Sequence, residues 1–142
     1  MANANKRAQL ILDRLMEIEV AIHGTLDRKA RHMGLSVAQT AVAQDLANHP
    51  DSSLQEVYSR LGWPKSTVSR LVTELTEMKI VTRDISSKDK RTVILSLCPS
   101  TRKKCLSNVM TDFFPGSSGE LSEKEAGEIA STLDRILYLM RN

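Results

Sequence analysis

SLQEVYSRLGWPKSTVSRLVTELTEMKIVTRDISSKDKRTVILSL, residues Ser53 to Leu97, is the stretch whose reading decides the fold. Ser53 followed by Glu56 makes a capping box, in which each side chain satisfies a backbone donor left open at a helix start. Leu54, Val57 and Leu61 then recur at helical spacing, and Gly62 supplies the left-handed residue that most readily ends a helix. Trp63 and Pro64 make the turn, and Pro64 prefixes a second helix that runs from Lys65 to Met78.

Val68, Leu71, Val72 and Leu75 form the apolar stripe of this second helix. Lys65, Ser66, Ser69, Arg70 and Thr73 are left for the solvent side. Thr67 falls in the first turn, where its hydroxyl and the open amides suit a phosphate. Two β-type runs follow, Val81–Ile85 and Thr92–Leu97. In the second, Val93, Leu95 and Leu97 alternate with Thr92, Ile94 and Ser96, the period of a half-buried strand. Between them, Ser86 to Arg91 is polar and rich in cations. Helix, turn, helix and basic hairpin in this order predict a winged helix-turn-helix. In such a unit the second helix enters a DNA major groove and the hairpin tip reaches the backbone or minor groove. Arginine can bridge a guanine edge with two bonds, and short hydroxyls reach bases or phosphates. On this reading Lys65, Ser66, Thr67, Ser69, Arg70 and Thr73 face the major groove, and Lys88, Lys90 and Arg91 face the backbone or minor groove.

Gly62-Trp63-Pro64-Lys65-Ser66-Thr67-Val68-Ser69-Arg70-Leu71 resembles the turn and recognition helix of the MarR family of bacterial transcription regulators. Ile80-Val81-Thr82-Arg83, followed by Asp89-Lys90-Arg91, is similar to that family's strand and its Asp-x-Arg wing. The resemblance implies that Arg91 approaches the minor groove and that Asp89 holds the wing. It also implies a homodimer built from intertwined terminal helices, reading two half-sites of a pseudo-palindromic operator, as a repressor released by a small ligand. Family ligands are often aromatic and bind between the dimer helices and the DNA-binding lobes, which directs attention to Met16, Met33 and Trp63. Three residues depart from the family pattern. Tyr58 replaces a small residue, Pro64 replaces a capping side chain, and Lys79 replaces a glycine, which predicts a looser turn into the wing.

Outside this stretch, one long apolar helix spans residues 5–33, with Leu12, Leu15, Met16, Ile18, Ile22 and Leu26 along one side. Gly34 breaks it. Ser36 with Gln39 caps a helix over Val37–Asn48, and His49-Pro50-Asp51 leads into the central motif. Beyond the wing, a helix is expected over Thr101–Phe114 and a loop at Pro115–Gly119. Ser122 with Glu125 then caps a final helix whose apolar side is Ala126, Ile129, Leu133, Ile136, Leu137 and Met140. The predicted fold is mainly α with a small β-hairpin wing. Residues 1–33 and 101–142 would serve dimerisation, and residues 34–100 would form the DNA-binding domain.

The 142 residues carry a net charge of +3, but Asp51 to Cys105 alone hold eleven Lys/Arg against six Asp/Glu, concentrating positive charge where DNA would lie. No apolar run reaches the roughly 20 residues of a membrane span, and no secretion signal opens the chain, so a cytoplasmic protein without membrane partners is expected. Cys98 and Cys105 lack zinc-site spacing, and His23, His32 and His49 are scattered, so no metal or other cofactor is expected. No phosphate loop, nucleophile elbow or acid–base pair suggests an enzyme. Two alternatives stay open: a winged-helix module that binds an acidic protein partner, and a regulator that senses oxidants through cysteine.

Overall fold

A computed structural model of the chain describes residues 2–86, 88, 91–117 and 121–141. In chain order its elements are α1 (Ala2–Met33), α2 (Val37–Asn48), α3 (Leu54–Leu61), α4 (Lys65–Glu77), β1 (Val81–Ile85), β2 (Val93–Leu97), α5 (Pro99–Leu106), α6 (Val109–Phe113) and α7 (Glu123–Arg141). The fold is mainly helical, with a two-stranded antiparallel wing following a helix-turn-helix. No helix among the described residues is long and apolar enough to cross a membrane.

The chain divides into two compact units, Met1–Val109 and Met110–Asn142. In the first, Val42, Leu46, Val57, Val68, Leu71, Leu75, Val81 and Leu95 make one core fed by α2, α3, α4 and both strands. Cys105 brings α5 into the same core, and the end of α1 closes on it through Lys29, whose Nζ donates to the Cys105 carbonyl at 3.5 Å. The earlier part of α1 stays outside: Leu10, Met16 and Val20 are 58%, 57% and 72% exposed. In the second unit α7 buries none of its side chains, and its expected apolar residues Ile129, Leu133, Leu137 and Met140 are all exposed.

Local sequence rules account for most boundaries. Both halves of the capping boxes Ser36–Gln39 and Ser53–Glu56 are formed, and Ser122 Oγ accepts from the Glu125 amide at 3.1 Å. Accepting the Ser53 amide and hydroxyl bonds holds the Glu56 carboxyl below its ordinary value. The helix expected over Thr101–Phe114 is instead two, because Ser107 and Asn108 form a turn. Ser107 Oγ donates back to the Lys103 carbonyl at 2.7 Å, the local competition that makes such residues poor helix continuers. Residues Ser118 and Gly119 of the expected loop lie outside the described residues, while Pro115–Ser117 form a 3-10 turn.

Lys79 is the clearest correction. A looser turn was expected without glycine, yet Lys79 adopts φ +61°, and its amide donates to the Thr76 carbonyl while the Ile80 amide donates to that of Leu75. These two bonds form the same tight helix ending that glycine normally permits. Lys79 thus takes a conformation its Cβ disfavours, with Ile80 after it partly buried against the core.

The wing is anchored at one end. Register pairs run from Val81↔Leu97 to Ile85↔Val93, and Val81, Leu95 and Leu97 are buried. Val93, expected inward with Leu95 and Leu97, is 45% exposed because the core ends before it, and its partner Ile85 is exposed with it. A bridge from the Leu95 amide to the Ser52 carbonyl, 2.8 Å, pins the hairpin to the α2–α3 connection. Ser52 is buried there, and Arg60 of α3 donates to its Oγ at 2.7 Å while also bonding both oxygens of Asp45 on α2.

The two thiols differ. Hydrogen bonding from the Thr101 and Ser100 hydroxyls, 3.0 and 3.5 Å away, lowers the pKa of the half-buried Cys98. Burial pushes the Cys105 thiol up, against the opposing charge of Lys29.

Replacing Lys79 by glycine relieves the left-handed strain and is expected to raise unfolding free energy by about 0.5–1 kcal/mol net of the added chain entropy. Urea denaturation reads this directly, and a lower midpoint would show that Lys79 is unstrained. Alkylation of the folded protein with iodoacetamide should modify Cys98 first and leave Cys105 until unfolding, because a lowered pKa and access both favour the reactive thiolate. Equal rates at the two sites by mass spectrometry would contradict these environments.

Candidate nucleic-acid interface

Helix α4 is positioned by what it buries. Val68, Leu71, Val72 and Leu75 are each at most 1% exposed, packed towards α2, α3 and β1. Helical periodicity then turns Ser66, Arg70 and Thr73 away from the core. All three are exposed, as is Lys65 in the first turn, whereas Thr67 and Ser69 are half-buried on the flanks of that face.

The turn before α4 places no side-chain cap on its first amides. Gly62 takes φ +67°, which lets the chain reverse after α3, and the half-buried Trp63 packs on the core. Pro64 is the N-cap with extended backbone and makes no side-chain cap bond, as its chemistry requires. The amides of the first turn therefore remain open to an acceptor such as a phosphate oxygen. Tyr58, expected to adjust the packing between the two helices, is half-buried against the core.

Two outward residues of α4 are tied to neighbours. Arg70 Nη1 donates to Glu74 Oε1 at 2.7 Å, and Gln39 Nε2 of α2 donates to Glu74 Oε2 at 2.8 Å. The Gln39 bond first, and Arg70 second, hold the Glu74 carboxyl below its ordinary range. Thr73 Oγ1 accepts from Arg83 Nη2 at 3.1 Å. Arg83 lies on β1 between Val81 and Ile85, in register with the buried Leu95, so the strand alternation turns it to the face shared with the core. Sequence reasoning gave Arg83, Glu74 and Gln39 no place in the site. The signal for Arg83 was a cation on the same strand face as Val81, exposed beside a helix face already rich in hydroxyls.

On the wing, Lys88 and Arg91 are exposed, the Ser86 amide donates to the Thr92 carbonyl at 2.8 Å, and the Lys88 amide donates to Ser86 Oγ at 3.3 Å. Asp89 and Lys90, also expected in the interface, lie outside the described residues. The residues to which the resemblance pointed for a ligand are Met16, Met33 and Trp63. Met16 is exposed on α1, while Met33 and Trp63 each pack partly buried on the core. A groove of about 430 Å³ lies elsewhere, between Leu46, Pro50 and Asp51 on one side and Pro99, Arg102 and Leu106 on the other. Among the described residues no group of three His, Cys, Asp or Glu is placed to hold a metal.

Comparison with known proteins bears on the fold. Residues 46–84 match the sequence profile of the IclR helix-turn-helix domain. No curated protein sequence matches the chain. Among solved structures, MarR of E. coli is 19% identical and superposes with a TM-score of 0.62 over 89% of this chain and 96% of its own. AbfR of Staphylococcus epidermidis is 15% identical with a TM-score of 0.74, covering 99% of this chain and 97% of its own. The transcriptional repressor CouR, solved on a 23-mer DNA duplex, is 19% identical with a TM-score of 0.65, over 93% of this chain and 95% of its own. Likeness at this level of identity establishes architecture, and the fold of this chain is that of the MarR family of transcription regulators.

Proposed function

We propose that the chain is a sequence-specific DNA-binding transcription regulator, acting as a homodimeric repressor on a pseudo-palindromic operator. The observation that carries this reading is the two-sided build of α4: four aliphatic side chains buried, and Ser66, Arg70 and Thr73 turned outward beside the wing. Lys65, Ser66, Thr67, Ser69, Arg70 and Thr73 would meet the major groove. Lys88, Lys90 and Arg91 would meet the backbone or minor groove, with Asp89 orienting the wing. That CouR, similar in fold, is solved on a DNA duplex supports double-stranded DNA as the partner.

The dimer rests on the exposed apolar side chains of α1 and α7, such as Leu10, Ile18, Ile22, Leu133 and Leu137, which a lone chain would leave in water. Residues 1–33 and 101–142 supply this interface, and two winged lobes then face successive turns of DNA. Release by a small ligand belongs to the same reading, with Met16, Met33 and Trp63 as its contacts. The packing of Met33 and Trp63 on the core of the DNA-binding lobe gives such a ligand a route to the turn before α4.

Selection of bound sequences from a random DNA pool tests the proposal. It is expected to enrich a pseudo-palindrome whose binding weakens steeply as salt rises. Arg70→Ala should weaken the selected site by about 1–3 kcal/mol and relax its base preference. A folded protein that enriches nothing, or an Arg70→Ala variant with unchanged affinity, would overturn it in favour of a winged-helix module for a protein partner.

A further inference from the structure

Arg70 is held through a chain of bonds that begins on another helix. The Gln39 amide donates to Ser36 Oγ at 3.1 Å, and Gln39 Oε1 accepts from the Ser36 amide at 3.0 Å, closing the cap of α2. The other side-chain atom of Gln39, Nε2, donates to Glu74 Oε2 at 2.8 Å, and Glu74 Oε1 takes Arg70 Nη1 at 2.7 Å. Every atom in this relay has one task, so Gln39 cannot rotate towards another partner without opening the cap of its own helix. Both oxygens of the Glu74 carboxylate are engaged.

Helix stability does not explain the pair. An exposed ion pair one turn apart contributes little, and an acidic residue C-terminal to the basic one is the weaker order against the helix dipole. A carboxylate on a face that meets phosphates also repels them, which a surface built only for affinity would avoid. What the arrangement achieves is orientation. It holds one amino group of a long, rotamer-rich side chain and leaves Nε and Nη2 to meet a base edge. It also replaces the freedom of Arg70 to swing onto a phosphate with a defined reach.

We propose that Glu74, anchored through Gln39, is a positioning residue that fixes the reach of Arg70 and thereby sets the base preference of the DNA site. The inference rests on the DNA-reading role of α4 proposed above. Glu74 raises discrimination in two ways: it pre-orients the guanidinium for one base edge, and its charge weakens binding to DNA that offers phosphates alone.

Two near-isosteric variants test it. Glu74→Gln keeps the size of the side chain and removes its charge. Gln39→Glu keeps an acceptor for the Ser36 amide, so the capping box survives, but sets a second carboxylate against Glu74. Parent and variants are put through the same random-pool selection, and each is titrated with the parent's best duplex and a scrambled duplex. Folding is followed by circular dichroism. The expected result is a flattened preference at one base position per half-site in both variants. The ratio of selected to scrambled affinity should fall about tenfold, the order of one charge-assisted hydrogen bond. Scrambled binding should tighten for Glu74→Gln. Folded variants with the parent's base profile and ratio would overturn the proposal, even if their melting temperatures change. A parent that selects a sequence while the variants match it removes only this inference, whereas a parent that selects nothing removes the DNA-reading role and this inference with it.

Discussion

Burial of Val68, Leu71, Val72 and Leu75 is the constraint on which the rest of the site depends. Each such side chain contributes about 1.5–3 kcal/mol when taken fully out of water, so rotating α4 about its axis would forfeit more than any surface contact could return. The helix is therefore locked in azimuth, and the identity of its outward residues follows from periodicity. Lys65, Ser66, Arg70 and Thr73 are presented because the aliphatic stripe leaves them no other direction. Polar contacts then refine what packing has set: Glu74 and Gln39 hold Arg70, and Arg83 holds Thr73.

A second layer of constraint places the wing beside that helix. Val81, Leu95 and Leu97 sink the base of the hairpin into the shared core, and the Ser52 bridge ties β2 to the connection before α3. Arg60 joins Asp45, Ser52 and its own helix at that point, and the hydrogen bonds to Asp45 push its pKa further up. The base of the hairpin is thus fixed in the core, while Ile85 and Val93 farther along are exposed.

Much of this was legible in the residues. Ser53 and Glu56, Ser36 and Gln39, Gly62 and the α4 stripe follow short-range rules of capping, chain reversal and periodicity, and each element formed where those rules put it. The misreadings arose where the decision was not local. Lys79 adopts a glycine's conformation where the next residue, Ile80, packs partly buried on the core, and no propensity encodes that packing. Val93 continues the alternation of its strand past the point where the core stops, which only the packed lobe reveals. Ser107 and Asn108 break a helix that apolar spacing alone would carry through. In the candidate interface, the outward residues of α4 could be read from one helix, but their partners could not. Gln39 lies 35 positions from Glu74, and Arg83 lies 10 from Thr73, so both pairings are products of tertiary structure.

The central claim is that α4 and the wing together form the surface that meets DNA. Backbone amide chemical shifts, followed by NMR while an operator-length duplex is added, test it most directly. The account predicts that the largest perturbations fall on residues 65–73 and on the wing strands from 81 to 97, with Arg70 side-chain resonances shifting among them. Perturbations confined to α7 or to the groove near Pro50 and Arg102, with α4 unmoved, would contradict it.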